Sequence, residues 1–520
     1  MQKILDHVGN KMNDRLLKQS FLYTYLLGLA AHAYCFLNLT ISHDSLRAFY
    51  IAGKWPKASM GRIFYAAYIS LTRGKIVLPW LIGVLALFWV SIAVYLIVRM
   101  FGMEKRVFVV LVAGICVTNP SFYATAATYI HDLDANSFAL LLAVLTVYLW
   151  DCSMRTSEKK RKFLLLGIAA CLLSLALGIY QSFLSAAITL IILISIKNLL
   201  DGQKCAKVFG NGLYAISMVV VTAGLYLLEV KLFTKFTGIS ILDNESYNGL
   251  GNLSQLFTGN FFGKLLDTYE SFLTPFKNLI LTSEPESLIL AVQAVLVLCV
   301  LGMALIGFKK LDWKSRGLLI ILGILMPLGM NISSLLSNGM YHVLMQYAVW
   351  FVYLLALLLV WWLSLEKHIS EHIQKGLGIA VLVCVSLTIV ENIQTANSIY
   401  VKKNLESQAT MSYMTRVADR MEEEEEYIPG ETPVVFIGEY AVGDSMTGFE
   451  KYEVITGAEY HSPITFYDTY KDYFRYILGR SISLEDAAAF EEDTRVLEMP
   501  ASPKEGSIGM IDGTLVVKLK

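Results

Sequence analysis

The sequence predicts a polytopic α-helical membrane protein that ends in a small α/β domain, and three observations lead there. Hydrophobic residues make up 55% of the 520-residue chain, charged residues only 17%, and the mean hydropathy is +0.54. A soluble domain carries roughly 45–50% apolar and about 25% charged residues. Apolar runs near the length that crosses a bilayer, about 20 residues, recur as far as residue 393. From Gln394 onward the composition turns polar, with 12 basic and 23 acidic residues, a net of −11 against +11 for the remainder. These figures exclude a single soluble domain, a disordered chain and a secreted disulfide scaffold. The acidic tail also argues against nucleic acid as a partner, since no basic face is left to neutralise phosphates.

Clear spans are expected at 19–40, 78–101, 208–230, 287–308, 342–364 and 377–393, with 317–336 less clean. The run 163–200 is too long for one crossing and breaks at Gly178-Ile179-Tyr180-Gln181, which gives two short helices. The run 107–151 is interrupted by Asn119-Pro120 and by His131-Asp132-Leu133-Asp134, and reads as helices 107–128 and 136–151. The sum is about eleven spans. The seven cysteines have no metal-ligand spacing and read as small hydrophobes.

Lys and Arg set the orientation. They collect at the N-terminus (Lys3, Lys11, Arg15, Lys18) and in alternate connections such as Lys105-Arg106, Lys159–Lys162 and Lys309-Lys310. The short connections near 131, 180 and 340 have none. This places the N-terminus in the cytoplasm and the C-terminus outside, across the plasma membrane. Residues 1–18 lack a cleavable signal pattern, so the first span is expected to stay as an anchor. Outside lie two long loops, 41–77 and 231–286, and the tail 394–520, separate from a transmembrane domain 1–393. Loop 231–286 is expected to form interfacial helices. In the tail a polar helix near 396–426 should precede strands at Pro433–Ile437 and Thr514–Leu519, with the Glu422–Glu426 run as a solvated helix end.

Ionisable residues are costly within hydrocarbon and are candidates for function by default. The middle of the spans is nearly free of them; His32 is the main exception and reads as a hydrogen-bonded structural residue. Polar groups gather instead at the outer rim. The first cluster is Ser42-His43-Asp44-Ser45, after the first span. Asp44 there is either a general base or the cap of a following helix, since Asp44-Ser45-Leu46-Arg47 resembles a helix start. The second cluster is Tyr129-Ile130-His131-Asp132-Leu133-Asp134, where two carboxylates at i and i+2 either share a divalent cation or serve as turn formers. Arg62, Tyr180-Gln181 and Tyr341-His342 could add phosphate or sugar contacts, or serve as interfacial anchors and an aromatic belt. No nucleophilic triad, phosphate loop, dinucleotide fingerprint or zinc motif occurs.

Several blocks resemble one family. His43-Asp44-Ser45-Leu46, Met60-Gly61-Arg62, Leu78–Gly83, Tyr129–Asp134, Leu177–Gln181 and His342–Tyr347, in that order, are similar to the bacterial membrane glucosyltransferases of the GtrII type over about residues 20–365. The resemblance implies a GT-C-like architecture and transfer of a sugar, glucose by family likeness, from a polyprenyl-phosphate carrier to a cell-surface glycan. It implies Asp44 as the essential acidic residue of the first outer loop, acting as base with inversion at the sugar carbon. It implies Asp132 and Asp134 as ligands of a divalent cation (Mg or Mn) in those class members that use one; other members are metal-independent. His43, Arg62, His131, Tyr180, Gln181, Tyr341 and His342 are then the substrate and phosphate contacts. The rival reading is a transporter or flippase for a lipid-linked glycan, which would need ionisable residues along a mid-membrane path. A non-catalytic surface-assembly protein is the other, and would leave Asp44 dispensable.

Overall fold

The computed structural model describes residues 14–42, 45–46, 54–74, 77–241, 261–337, 342–440, 448–459 and 461–519. Thirteen elements carry the first two thirds of it: α1 (Arg15–Leu37), α2 (Lys54–Ser59), α3 (Tyr65–Thr72), α4 (Pro79–Phe101), α5 (Arg106–Thr118), α6 (Pro120–Thr128), α7 (Leu133–Arg155), α8 (Lys159–Leu177), α9 (Leu184–Leu200), α10 (Cys205–Thr237), α11 (Phe261–Thr282), α12 (Glu286–Lys310) and α13 (Trp313–Met330). A short α14 (Ile332–Leu336), then α15 (Val352–Leu365) and α16 (Glu371–Glu422), complete the helical part. Ten helical stretches among the described residues are long and apolar enough to cross a membrane. Helix α8 is the eleventh of the sequence expectation; its first turn, Lys159-Lys160-Arg161-Lys162, holds down its hydropathy.

The breaks follow local chemistry. Pro120 has no amide proton to give and sits at the first position of α6, while the Asn119 side chain accepts from the Phe122 amide and caps it. The expected helix 107–128 is therefore kinked into α5 and α6. The expected span 317–336 stops at Asn331, whose side chain turns away to donate to the Thr268 carbonyl and Ser271 hydroxyl of α11. Helix α11 presents Thr268, Ser271 and Asn278 inward and Phe262, Leu266 and Leu273 outward. That inversion of a water-soluble pattern suits a helix whose surroundings are apolar and whose contacts are interhelical hydrogen bonds.

Helix α1 packs on α4 and α5, α4 on α7, and α7 on α8, with α16 against α1, α12 and α15. His32 sits fully buried among them; its Nε2 lies 2.6 Å from the Val117 carbonyl and its Nδ1 2.7 Å from the Tyr400 hydroxyl. Bonding Nε2–H to the carbonyl leaves Nδ1 to accept from the phenol, which satisfies both ring nitrogens and gives the structural role expected. Of the cysteines, Cys35, Cys116, Cys299 and Cys384 are buried, but Cys171 faces outward on α8.

The largest departure is α16. The expected span 377–393 and polar helix 396–426 are one helix of 52 residues. Between them Ile393-Gln394-Thr395-Ala396 contains no Gly or Pro, so the change in polarity marks a change of surroundings and not a helix end. Beyond it a four-stranded sheet forms from β1 (Pro433–Ile437), β2 (Ser483–Leu484), β3 (Ile508–Ile511) and β4 (Thr514–Lys518), in the order β2-β1-β4-β3. Strand β1 is parallel to both neighbours, and β3 and β4 form a hairpin. Its turn is Asp512-Gly513, both at positive φ, as a tight two-residue hairpin turn requires. Two short helices, α17 (Thr469–Tyr476) and α18 (Thr494–Glu498), flank the sheet.

Candidate functional site

Ser42 and Thr128, which precede the two acidic clusters in the chain, meet at the end of the bundle from which the tail emerges. Ser42 and Ser45 cap one another: the Ser42 amide donates to Ser45 Oγ at 2.7 Å, and the Ser45 amide to Ser42 Oγ at 3.1 Å. This is a reciprocal capping arrangement between the two serines. His43 and Asp44 lie outside the described residues, as does Tyr341. The Ser42 hydroxyl also donates to the Thr128 carbonyl at 2.5 Å. Thr128 ends α6, and the next residues are the Tyr129–Asp134 stretch.

That stretch is clamped by the loop between α1 and α4. A single helical turn, Ile130–Asp132, leads into α7. Lys57, on α2, is ion-paired with Asp132 and lies 3.4 Å from His131 Nε2. Arg73, after α3, donates through Nε to Asp134 at 3.0 Å and through Nη2 to the His131 carbonyl. The Tyr65 hydroxyl reaches the same carbonyl at 3.1 Å, and the Tyr68 hydroxyl reaches Asp134 at 3.3 Å. Burial, and then the Asp132 carboxylate, hold the Tyr65 phenol well above its ordinary pKa, which keeps it a donor. Burial works against the charge on Arg73, but Asp134, together with Tyr65 and Asp132, outweighs it and holds the guanidinium above its ordinary pKa.

Both carboxylates thus have a cation from the protein. Asp134 is wholly buried, with Arg73 at 2% side-chain exposure beside it. A divalent ion shared by Asp132 and Asp134 would have to displace Lys57 from one and Arg73 from the other, so the residues as arranged do not fit that ion. Among the described residues, no group of three or more His, Cys, Asp or Glu stands together to hold a metal.

A second set lies alongside. The Phe64 amide donates to the Gly178 carbonyl at 2.7 Å, and a Cβ on Gly178 would fall 2.3 Å from the Phe64 ring. The break in the 163–200 run is therefore where the loop crosses close to α8. The Gln181 amide nitrogen donates to the Met60 carbonyl at 2.8 Å and to the Tyr226 hydroxyl at 3.0 Å, and Tyr226 donates to the Gly61 carbonyl at 3.0 Å. The Arg62 guanidinium stands 4.6 Å from the centre of the Tyr180 ring. Tyr180 is buried, which makes it the floor under Arg62 and not a member of a belt. Arg62 is half-buried, its Nε has no hydrogen-bond partner among the described residues, and its charge reaches Asp132. His342 is exposed, next to Val343, whose carbonyl accepts from Ser121 of α6 at 2.6 Å.

Lys57 and Arg73 were missed in the sequence reading, because their partners are 75 and 61 residues away. The signal present was charge alone: loop 41–77 holds Arg47, Lys54, Lys57, Arg62, Arg73 and Lys75 against the one acid Asp44. Two carboxylates within apolar helices were also passed over. Glu229 accepts from Ser174, and Glu391 accepts from Thr395 at 3.4 Å; each lies toward the tail-side end of its span.

No curated protein matches the chain. The family model for glucosyl transferase GtrII matches residues 33–360, which takes in the Ser42–Ser45 turn, the clamped Tyr129–Asp134 stretch and the Arg62–Tyr180 stack. The chain belongs to the GtrII glucosyltransferase family.

Proposed function

We propose that the protein transfers glucose from a polyprenyl-phosphate donor to a cell-surface glycan, at the outer face of the bacterial plasma membrane. The acceptor hydroxyl attacks the anomeric carbon. Its proton passes to the Asp44 carboxylate, a new bond forms from that carbon to the acceptor oxygen, and the bond to the phosphate oxygen breaks. Polyprenyl phosphate leaves with the electron pair, and the configuration inverts. A phosphate is already a good leaving group, so the protein's work is to hold the acceptor in line and to balance charge on the departing phosphate.

The observation that carries this reading is the Ser42–Thr128 hydrogen bond. It ties Ser42, two residues before Asp44, to the start of the Tyr129–Asp134 stretch, and so supports a site at which both clusters serve one substrate. Arg62 is assigned to the phosphate: a half-buried guanidinium with an unmatched Nε is suited to donate a charge-assisted bond to an anion. The Asp132 ion pair holds Lys57 beside His131, and those two residues are assigned to the same substrate. Tyr180 and Gln181 fix Arg62 and the Met60-Gly61 backbone. His43, Tyr341 and His342 stay as assigned contacts of donor or acceptor. No step is routed through a divalent cation.

The test is to incubate the purified protein with polyprenyl-phosphate glucose and an acceptor glycan, and to read the anomeric configuration of the product by NMR. Inversion relative to the donor is expected. Retention would overturn the direct displacement, and absence of transfer would overturn the donor assignment.

A further inference from the structure

The tail does not stand clear of the bundle. Its segment 449–458, which contains the turn Glu450–Val454, buries Tyr452, Ile455 and Ala458 in the same apolar core as the helices. Two lysines of α16, both nearly inaccessible, hold its backbone: Lys403 Nζ donates to the Gly457 carbonyl at 2.7 Å and Lys402 Nζ to the Ala458 carbonyl at 2.8 Å. From the other side the Asn278 amide donates to the Val454 carbonyl at 3.1 Å.

Gly457 is pressed against Thr128. Its φ is +92°, and a Cβ built on it would lie 2.0 Å from Thr128 Oγ1 and 3.3 Å from the Thr128 backbone nitrogen. Only glycine combines that conformation with that approach. Meanwhile the core beneath the tail sheet takes in Ile41 and Leu46, the residues on either side of the Ser42–Ser45 turn, along with Phe436 and Leu515. Thr128 therefore lies between Ser42, bonded to its carbonyl, and the tail, packed on it through Gly457.

We propose that the tail is a working part of the transfer site: Gly457 and its segment are positioning elements that fix the 42–46 turn relative to residues 128–134. The inference rests on the functional reading above for its kinetic consequence but not for its structural one. Such a role gives a reason for a buried Lys403 held on the Gly457 carbonyl, beside a Lys402 that bridges buried Glu406 and the Ala458 carbonyl, since the ordering they impose is delivered at Thr128.

The test compares wild type, Gly457→Ala and Asn278→Ala as full-length inserted protein, by hydrogen exchange and by transfer kinetics. In Gly457→Ala, exchange at 125–134 should rise while strands 508–518 stay protected, and kcat should fall tenfold or more with donor KM changed less than twofold. Asn278→Ala, a milder loosening of the same segment, should shift both in the same direction by a few-fold. Unchanged exchange at 125–134 in both variants, or raised exchange with wild-type kcat, would overturn the proposal. If wild type itself transfers no glucose, the functional reading fails, and the exchange comparison still decides whether Gly457 orders the 125–134 stretch.

Discussion

The Ser42 hydroxyl donates to the Thr128 carbonyl across 86 residues of chain. Through that bond the end of the first span and the end of α6 become one rim, with Ser42 held against the residue that precedes the Tyr129–Asp134 stretch. Ser42 does two jobs there, since the same oxygen accepts from the Ser45 amide. Removing the cap alone costs about 0.5–2 kcal/mol. Ser45→Ala should therefore lower stability by about 1 kcal/mol with a small effect on transfer. Ser42→Ala should lower stability similarly but reduce transfer more, because only it severs the rim. Thermal unfolding in detergent, paired with initial rates, separates the two.

The Lys57–Asp132 pair is largely shielded from water, at 14% and 5% side-chain exposure. Breaking one partner of a buried pair costs about 3–5 kcal/mol, because the other charge is left uncompensated. Asp132→Asn and Lys57→Gln should each be strongly destabilising, and the double change Lys57→Asp/Asp132→Lys should recover part of the loss. A role of Asp132 as a metal ligand predicts instead that the exchanged pair is no better than Asp132→Asn alone. Unfolding temperatures of the set decide it.

Arg73 and Asp134 are still more enclosed, and Tyr68 adds a bond to the same carboxylate, with the Trp89 indole donating to Tyr68 at 2.9 Å. Arg73→Gln and Asp134→Asn should each cost about 3–5 kcal/mol. The double variant should cost less than the sum of the singles, as expected for groups sharing one network. A double-mutant cycle on thermal stability measures that coupling; strict additivity would mean the pair is not formed.

Since both carboxylates are held by protein cations, excess chelator should leave the transfer rate within twofold of the untreated value. Restoration of a chelated sample by added Mg or Mn would show that a cation acts at the site after all.

The spans were legible because a length requirement of about 20 apolar residues leaves a strong mark in sequence. The break at Gly178 was legible for a related reason, and Phe64 supplies its cause. The solvated Glu422–Glu426 run is also found at the exposed end of α16. What sequence could not supply was partner choice. Nothing near Asp132 names Lys57, and a basic loop looks the same whether its cations meet carboxylates or solvent. The burial of 449–458 left no mark either, because Tyr452, Ile455 and Ala458 are too few to form a periodic pattern. Strand β3 was overlooked although Asp512-Gly513 is a strong hairpin signal; its Gly509 and short length hid it.

The central claim is that Asp44 takes the acceptor proton in a cavity shared with the Tyr129–Asp134 stretch. Positioned proton transfer contributes about 10²–10⁴-fold to rate. The most direct measurement is the single-turnover transfer rate of Asp44→Asn against wild type, at saturating polyprenyl-phosphate glucose, with the variant shown to be inserted and folded. A fall of at least about 100-fold with donor affinity retained is predicted; a rate within a few-fold of wild type would contradict the account.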